Sequence, residues 1–498
     1  MTADPIETQT ESGRPADSNS GLMHANAALL VAKAIQLGAT MGALVILMRR
    51  LTPADFGIAA LALVVPEIVT TIHQFGIPSA LMRHSVLSQN TVRRCLRVSA
   101  RKNAWCLSVV VLGGALLAGI YDISELGLYA LAMAPAVFLC GVSSVYRGIL
   151  ENQFRFGVVA VSQAGAPLVS AALAVAASFY FQSAFPLILQ SASDLLVRAA
   201  FWLGYGVPAA RRLPLRAQSD TEVFEDVTRF GRELTWSKVV RSAVNMLDRL
   251  VVGLITTPTG LGFYTAARRW SNLPVQEVHL ATLHPSVAWL VRSGSNDMDF
   301  RSSVRMSTVF PMILAIPACA WLFLEAPTVV ETVFGNAWLG VVPLFRVLLV
   351  AAVCRLPVML MSQVYYSEGR SREQLRWTWF EAAVFSAAIL LGALGDERTV
   401  AFAYAGISVA LAPIGVYYAA QGSRAKFSDL IVPWCVIMTY SSVAFGCSAF
   451  GRDRLSGFGS DVIMALISAA IFLVAFFLLM LVTWSFSGLR KTVLGRHP

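Results

Sequence analysis

Residues 234–257 read LTWSKVVRSAVNMLDRLVVGLITT, a stretch apolar enough to cross a bilayer that nevertheless carries five strongly polar side chains. These are Lys238, Arg241, Asn245, Asp248 and Arg249. At about 100° per residue they fall within roughly a 100° arc on one side of a helix, and the other side is aliphatic. A charge at the bilayer centre costs at least about 2.5–3.5 kcal/mol, so this stripe cannot face lipid. We therefore expect it to line a wet, protein-walled cavity.

The composition of the whole chain agrees with a membrane protein. Of 498 residues, 56% are hydrophobic and 14% are charged, whereas about 45–50% apolar is typical of soluble domains. The net charge of +10 comes from basic residues that interrupt hydrophobic segments at the places where membrane topology would put them. The sequence therefore predicts an integral membrane protein with lipid around it and no nucleic-acid partner.

Apolar runs long enough to span about 30 Å of hydrocarbon recur about fourteen times. The eighth run is long and interrupted by Pro274 and Pro285. The predicted transmembrane cores are 26–48, 58–77, 104–120, 128–146, 157–180, 184–206, 234–255, 262–290, 305–324, 339–361, 377–394, 400–420, 430–449 and 462–483. The pattern predicts an all-α integral membrane fold.

The distribution of Lys and Arg predicts the orientation. With the N-terminus in the cytoplasm, the outer loops hold only Arg49, Arg50, Arg398, Arg452 and Arg454, and most of the other basic residues lie in cytoplasmic loops and tails. Residues 1–23 are polar and lack a basic region ahead of an apolar core, so they are interpreted as a disordered cytoplasmic tail. We expect both termini in the cytoplasm and a location in the cytoplasmic (inner) membrane.

An internal repeat divides the chain. A shift of 205 residues places Lys33 on Lys238, Thr52-Pro53 on Thr257-Pro258 and Gly57 on Gly262. Because the repeat begins an even number of spans after the first helix, the two halves share one orientation and are parallel repeats. The predicted regions are two six-helix bundles around a central cavity (24–207 and 234–420), a cytoplasmic linker (208–233), and two additional helices with the C-terminal tail (421–498).

Polar residues on the other repeat helices extend the stripe. In the eighth segment Arg268, Asn272, Gln276 and His279 share one face, with Arg269 at its edge. The first segment has Lys33, Gln36 and Thr40 on one face, and the second has Glu67 and Gln74. In the tenth, Arg355 lies nearer mid-span than Arg346. The predicted cavity is cationic, because its lysines and arginines outnumber its carboxylates.

A basic cavity predicts an anionic substrate. Arginine suits bidentate recognition of phosphate, and the sharpest candidates are Arg241 and Arg268. Arg241 has no obvious partner within its own helix, and Arg268 lies about four residues from Asn272 on the stripe that faces the same cavity. The wider predicted binding set is Lys33, Lys238, Asn245, Arg249, Arg269 and Arg355. In the alternative interpretation, Arg249 and Arg268 pair with Asp248 and Glu67 to hold helices together. If transport uses an ion gradient, Asp248 and Glu67 are the predicted ion carriers.

The sequence shows no sign of an enzyme or of a cofactor. His279 and His284 lack a third metal ligand, the seven cysteines follow no metal-binding spacing, and no glycines follow phosphate-loop spacing. No nucleophile–base set or paired carboxylates stand on a cytoplasmic loop. We expect neither a cofactor, nor a metal, nor catalysis.

Two motifs resemble a known family. LTPADFGIAALALVV from Leu51, followed by FGIPSALMR (75–83), is similar to the first hairpin of the Wzx-type polysaccharide and oligosaccharide-lipid exporters. DRLVVGLITTPTGLGFYTAARRWSNLP (248–274) is similar to their seventh-to-eighth hairpin. These exporters are relatives of the lipid II flippase and of the multidrug and toxin extruders. The FG-x-x-SALxR form is similar to exporters of exopolysaccharide units of the colanic acid, succinoglycan or xanthan type.

The resemblance implies that an undecaprenyl-diphosphate-linked oligosaccharide repeat unit is flipped across the membrane by alternating access, with a polymerase and export machinery as further partners. Many members have 12 spans, against about fourteen here. Two alternatives stay open, a cation-coupled drug antiporter of the same fold and a membrane-embedded polymerase or ligase. Excess cavity arginine disfavours the antiporter, and short outer loops disfavour the polymerase.

Overall fold

A computed structural model of the chain describes residues 17–81, 87–153, 155–216, 220–293, 296–455 and 461–485. Within these ranges, only the backbone is described for residues 17–30, 73–75, 230, 232–241, 243–245, 284, 455 and 482–485. The described residues form helices joined by short connections and contain no strand. The predicted all-α membrane fold is confirmed.

The N-terminal half, here called the N-lobe, contains eight helices. They are α1 (Asp17–Arg50), α2 (Pro53–Ala62), α3 (Val64–Phe75), α4 (Ile77–Leu81), α5 (Gln89–Tyr121), α6 (Glu125–Asn152), α7 (Phe156–Ala177) and α8 (Phe185–Arg211). Helices α5, α6, α8 and α7 pack in sequence, and α1 packs against α7. The second predicted span is bent, because α2 ends at Ala62 and α3 starts at Val64.

The C-terminal half begins with a long helix. It contains α9 (Asp220–Ile255), α10 (Pro258–Arg292), α11 (Asp297–Leu324), α12 (Ala326–Phe334), a 3-10 turn (Asn336–Val341), α13 (Val342–Ser367), α14 (Ser371–Gly392) and α15 (Glu397–Ala420). We call α9–α15 the C-lobe. Two more helices follow, α16 (Ser428–Leu455) and α17 (Asp461–Ser485). The prediction that Pro274 and Pro285 interrupt the eighth span was wrong, because α10 continues through both prolines.

All fourteen predicted segments fall on helices. Nine helices in the described ranges are long and apolar enough to cross a membrane. Helix α2 and the bent continuation α3–α4 make a tenth span when they are counted together. The segments outside this group lie on α8, α9, α10 and α14, of 27, 36, 35 and 22 residues. Charged residues lower the hydropathy of these helices, and the count of fourteen stays a prediction.

The repeated hairpins meet at one end of the lobes. We call it the outer end, and the opposite one the cytoplasmic end, because the distribution of Lys and Arg predicts this orientation. Thr52 caps α2 by accepting a hydrogen bond from the Asp55 amide, and Thr257 caps α10 in the same way from the Gly260 amide, both at 3.3 Å. Pro53 and Pro258 occupy the first helical positions, where no amide hydrogen is needed. The matching caps and the packing of α2 on α10 confirm that the two halves contain corresponding hairpins.

The start of α9 is tied to the N-lobe. The buried Asp220 carboxylate accepts hydrogen bonds from Ser88, from Thr91 at 3.1 Å and from Asn90 at 3.0 Å. Helix α9 therefore begins inside the predicted linker 208–233 and is anchored at the cytoplasmic end of α5.

The two last helices are fixed to the C-lobe through α16. At the cytoplasmic end, Arg301 and Arg305 of α11 both bond to the fully buried Asp429, at 2.8 and 2.6 Å. At the outer end, Arg452 of α16 bonds to the fully buried Glu325 at 2.9 Å. Helix α17 packs on α16. Both ends of α16 are thus held by ion pairs with buried carboxylates.

Candidate functional site

Two neighbouring residues of α9 bind opposite lobes. Asp248 bonds to Arg268 of α10 at 2.5 Å, within the C-lobe. Arg249 bonds to Glu67 of α3 at 2.9 Å, across to the N-lobe. Consecutive side chains on a helix point about 100° apart, which lets one turn of α9 reach both lobes. Both residues belong to the polar stripe predicted from the sequence.

The first pair is mostly buried. Asp248 has 0% side-chain exposure and Arg268 has 18%. Tyr264, also fully buried, contributes its hydroxyl at 3.3 Å from the Asp248 carboxylate and accepts from the Arg268 guanidinium at 3.3 Å. Arg268 also lies 4.5 Å from the ring centroid of Tyr404. A buried charge pair in this setting fixes helices, because removing either member leaves the other uncompensated.

The network continues through Arg355. Its guanidinium donates to the Tyr404 hydroxyl and to Glu381 Oε1, the latter at 2.9 Å, and lies 4.7 Å from the Phe385 ring centroid. Glu381 belongs to α14 and Tyr404 to α15. Arg355 is half-buried, and its Nε has no hydrogen-bond partner among the described residues. These contacts connect α9, α10, α13, α14 and α15 into one polar layer of the C-lobe.

The second pair is open. Glu67 and Arg249 retain 41% and 31% side-chain exposure. Arg269, one residue after Arg268, is exposed and makes no hydrogen bond or ion pair with any described residue. It interacts electrostatically with both Arg249 and Glu67. Three charged groups therefore share one accessible space between the lobes, two of them cationic.

The depth of this space follows from helix geometry. Arg269 is eleven residues into α10 and Arg249 is six residues before the end of α9, or about 16 Å and 9 Å from the outer helix ends at 1.5 Å per residue. Exposed charges at such depth cannot be lipid-facing. They face the interior of the transmembrane region.

The other predicted site residues either lie away from the two ion pairs or have side chains outside the described residues. Lys33 is exposed on α1. The side chains of Lys238, Arg241 and Asn245 on α9 lie outside the described residues, as does that of Gln74, and their predicted roles stay predictions. His279 is buried, and no cluster of His, Cys, Asp and Glu that could hold a metal occurs in the part of the chain described.

Three network members were missed from the sequence. Tyr404 carries no charge and stands in an apolar run, so no pattern distinguished it. Tyr264 had a signal, because it belongs to the 248–274 motif that resembles the exporter family. Glu381 had a signal, because it is the one charged residue in the predicted span 377–394. In α8, Asp194 pairs with Arg198, one turn later, at 2.8 Å.

The outer side of the site is closed by contacts between the lobes. Trp338 donates its indole hydrogen to the Met48 carbonyl at 2.7 Å and packs edge-on against Phe56 and Phe263. Tyr121 donates to the Leu250 carbonyl at 2.7 Å. These hydrogen bonds and aromatic contacts lie between the charged space and the outer ends of α2 and α10.

The fold is that of known transporters. The chain superposes on the lipid II flippase MurJ in an inward closed conformation with a TM-score of 0.71, over 93% of this chain and 99% of MurJ, at 12% identity. It superposes on an inward-facing MATE family multidrug resistance transporter of the MOP superfamily with a TM-score of 0.63, over 81% and 99% of the two chains, at 15% identity. At these identities the likeness concerns the fold alone.

Curated relatives are similar in sequence over most of the chain. The teichuronic acid biosynthesis protein TuaB of Bacillus subtilis is 21% identical over 67% of this chain and 69% of its own length. The lipopolysaccharide biosynthesis protein WzxC of Escherichia coli is 20% identical over 73% of each chain. The succinoglycan biosynthesis transport protein ExoT of Rhizobium meliloti is 22% identical over 74% of each.

A profile of one family covers more than half of the sequence. It matches residues 46–343, which extend from the end of α1 to the start of α13 and include both repeated hairpins and the Asp248–Arg249 turn. The chain belongs to the polysaccharide biosynthesis protein family.

Proposed function

We propose that this chain is a flippase that moves a lipid-linked oligosaccharide, carried on undecaprenyl diphosphate, across the cytoplasmic membrane for surface polysaccharide biosynthesis. The observation that carries the proposal is the pair of accessible guanidinium groups, Arg249 and Arg269, beside a single carboxylate inside the transmembrane region. The names of ExoT, a transport protein, and of WzxC and TuaB support a role in polysaccharide precursor transport. The MurJ-like fold supports the same class of movement.

In this proposal the diphosphate binds Arg249 and Arg269. Both guanidinium groups present planar donor arrays that match phosphate oxygens, and both are reachable from the aqueous space between the lobes. Arg268 and Arg355 act one layer behind, where the Asp248–Arg268 bond joins α9 to α10 and the Arg355–Glu381 bond joins α13 to α14. Lys33, Lys238, Arg241 and Asn245 remain proposed contacts along the path of the head group.

Movement occurs by alternating access. The lobes are closed on the outer side by Trp338 and the packed hairpins, so this state accepts substrate from the cytoplasmic side. Opening the outer side requires these contacts to separate while the lipid tail stays in the bilayer. Both termini are placed in the cytoplasm by the distribution of Lys and Arg.

Net export needs an energy source, either an ion gradient or removal of the product by a polymerase outside. Of the two carboxylates predicted to carry an ion, Asp248 has no exposure and is bonded to Arg268, whereas Glu67 is accessible. We therefore confine the ion-coupling proposal to Glu67. Flipping that is unaffected when both the proton and the sodium gradient are collapsed contradicts it.

Deletion of the gene tests the proposal in cells. We expect loss of the extracellular polysaccharide and accumulation of its lipid-linked repeat unit on the cytoplasmic side, both restored by the wild-type gene. A strain that makes normal amounts of polysaccharide contradicts the proposal. Export of single repeat units would assign the chain to polymerisation, and increased sensitivity to cationic drugs without a polysaccharide defect would assign it to drug export.

A further inference from the structure

We propose that Glu67 competes with the substrate diphosphate for Arg249. Its carboxylate is bonded to Arg249 while the site is empty, and the diphosphate head group displaces it. The inference rests on the proposed function, because it describes how the same site is emptied and filled. It assigns Glu67 as a positioning residue that links occupancy of the site to contact between the lobes.

The geometry of Glu67 suits a displaceable anion. Its carboxylate bonds to Arg249 at 2.9 Å, and in the described part of the chain this is its one hydrogen bond. The hydroxyls of Thr70 and Thr71, one turn later, bond at 2.9 Å to the backbone carbonyl of Glu67 and leave the carboxylate alone. No second donor among the described residues holds the carboxylate in place when Arg249 turns to another anion.

The neighbouring pair provides the contrast. Asp248 and Arg268 bond within one lobe, Asp248 is shut off from solvent, and Tyr264 lies against both. Displacing Arg268 from Asp248 would leave a buried charge without its partner, which is strongly destabilising. An exposed pair such as Glu67–Arg249 contributes only about 0–1 kcal/mol, so a ligand can replace it.

The charge balance favours replacement. Among the described residues, Arg249 and Arg269 carry two positive charges against the single negative charge of Glu67, so these three groups have one positive charge in excess. A diphosphate diester brings two negative charges and matches the two arginines. Glu67 would then face like charge at short distance, which disfavours its remaining in the site.

Displacement changes the contact between lobes. Glu67 is on α3 of the N-lobe, and Arg249 is on α9 of the C-lobe. The residue before Arg249, Asp248, is bonded to Arg268 of α10. When the diphosphate binds Arg249, the Glu67–Arg249 ion pair between the lobes is broken. A bond between the substrate and Arg249 then replaces it. An empty transporter keeps the bond.

Competition makes a quantitative prediction. If the pair is worth up to about 1 kcal/mol, Arg249 is free for roughly a sixth to a half of the time in the empty site. Apparent affinity falls by that fraction, so removing the competitor strengthens ligand binding by about twofold to sixfold.

The test measures the dissociation constant of farnesyl diphosphate, a short isoprenyl diphosphate, for purified full-length protein. We expect Glu67→Gln to bind about twofold to sixfold tighter than wild type. Asp194→Asn is the matched control. Asp194 is a partly exposed carboxylate that pairs with an arginine at 2.8 Å, as Glu67 does, but its partner Arg198 is in the same helix, α8. This control should bind as wild type does.

A double-variant cycle separates competition from indirect effects. In an Arg249→Gln background, Glu67→Gln should leave the dissociation constant unchanged, because there is no guanidinium to compete for. Unchanged or weaker binding by Glu67→Gln alone, in protein with the wild-type unfolding temperature, overturns the inference. If that variant unfolds, Glu67→Asp, which shortens the reach but keeps the charge, must bind tighter or the inference fails. Failure of wild-type protein to bind the probe overturns the proposed function as well.

Discussion

Gly57 and Gly262 occupy equivalent positions in the two hairpins and lie reciprocally against the opposite hairpin. The Cα of Gly57 faces the carbonyl oxygen of Pro258, and the Cα of Gly262 faces that of Pro53, so closely that a Cβ on either glycine would overlap the oxygen. The contact relates α2 and α10 by an approximate two-fold symmetry. It seals the outer end of the two lobes, because backbone meets backbone with no side chain between.

Substituting either glycine should open this seal. We expect Gly57→Ala to force α2 away from α10 and lower the stability of the outer-closed state by about 1–3 kcal/mol, the usual range for overpacking. Gly42→Ala is the control, since nothing lies within 4 Å of a Cβ at Gly42. The measurement is labelling of Phe56→Cys by a membrane-impermeant maleimide from outside, in a background with Cys435 and Cys447 replaced by Ser. Equal labelling rates with and without Gly57→Ala would show that the contact does not hold the outer side closed.

The Asp248–Arg268 pair should behave as a structural unit. Arg268→Ala leaves the fully buried Asp248 without its partner, and we expect about 3–5 kcal/mol of destabilisation. Replacing both residues with neutral ones (Asp248→Asn with Arg268→Met) should recover most of that loss. Thermal unfolding of purified protein measures both. Arg249→Ala, which removes an exposed pair, should change stability by no more than about 1 kcal/mol. A larger effect from Arg249→Ala than from Arg268→Ala would reverse the assignment of roles.

The docking of α16 should depend on Asp429. Asp429→Asn removes the shared acceptor of Arg301 and Arg305 at a fully buried position, and we expect a loss of about 3–5 kcal/mol in the attachment of α16. Limited proteolysis between α15 and α16 in detergent should become faster than in wild type. Glu373→Gln, which removes a more exposed pair with Arg370, is the control. Equal cleavage of the Asp429 variant and wild type would mean that α16 is held by apolar packing alone.

Sequence reasoning predicted the features that depend on local periodicity. The polar stripe around Asp248 and the equivalence of Gly57 and Gly262 follow from residue spacing, and both correspond to contacts in the structure. Pairing of Arg249 and Arg268 with Asp248 and Glu67 was one of two interpretations left open, and the structure joins Arg268 to Asp248 and Arg249 to Glu67. Spacing could not decide between them, because it does not say how helices α3, α9 and α10 are rotated against one another.

The rest of the site depends on long-range packing. Arg355 meets Tyr404 and Glu381, which are 49 and 26 residues away along the chain and on other helices. A helical wheel gives the face of one helix, but the identity of the facing residue depends on crossing angles and on depth. The continuity of α10 through Pro274 was missed for a related reason. Neighbouring helices can stabilise a helix beyond a proline, and the sequence does not show which helices are neighbours.

The most direct test of the central claim is flipping in proteoliposomes. Purified protein would be reconstituted with an undecaprenyl-diphosphate-linked oligosaccharide that carries a fluorophore on the sugar, and the fraction reachable by an impermeant quencher followed with time. The account predicts rapid exchange with wild-type protein, at least tenfold slower exchange when Arg249 and Arg269 are both replaced by Gln, and unchanged exchange for Asp194→Asn, with all three proteins equally stable. Exchange by the double variant at the wild-type rate, or wild-type exchange no faster than in protein-free liposomes, would contradict it.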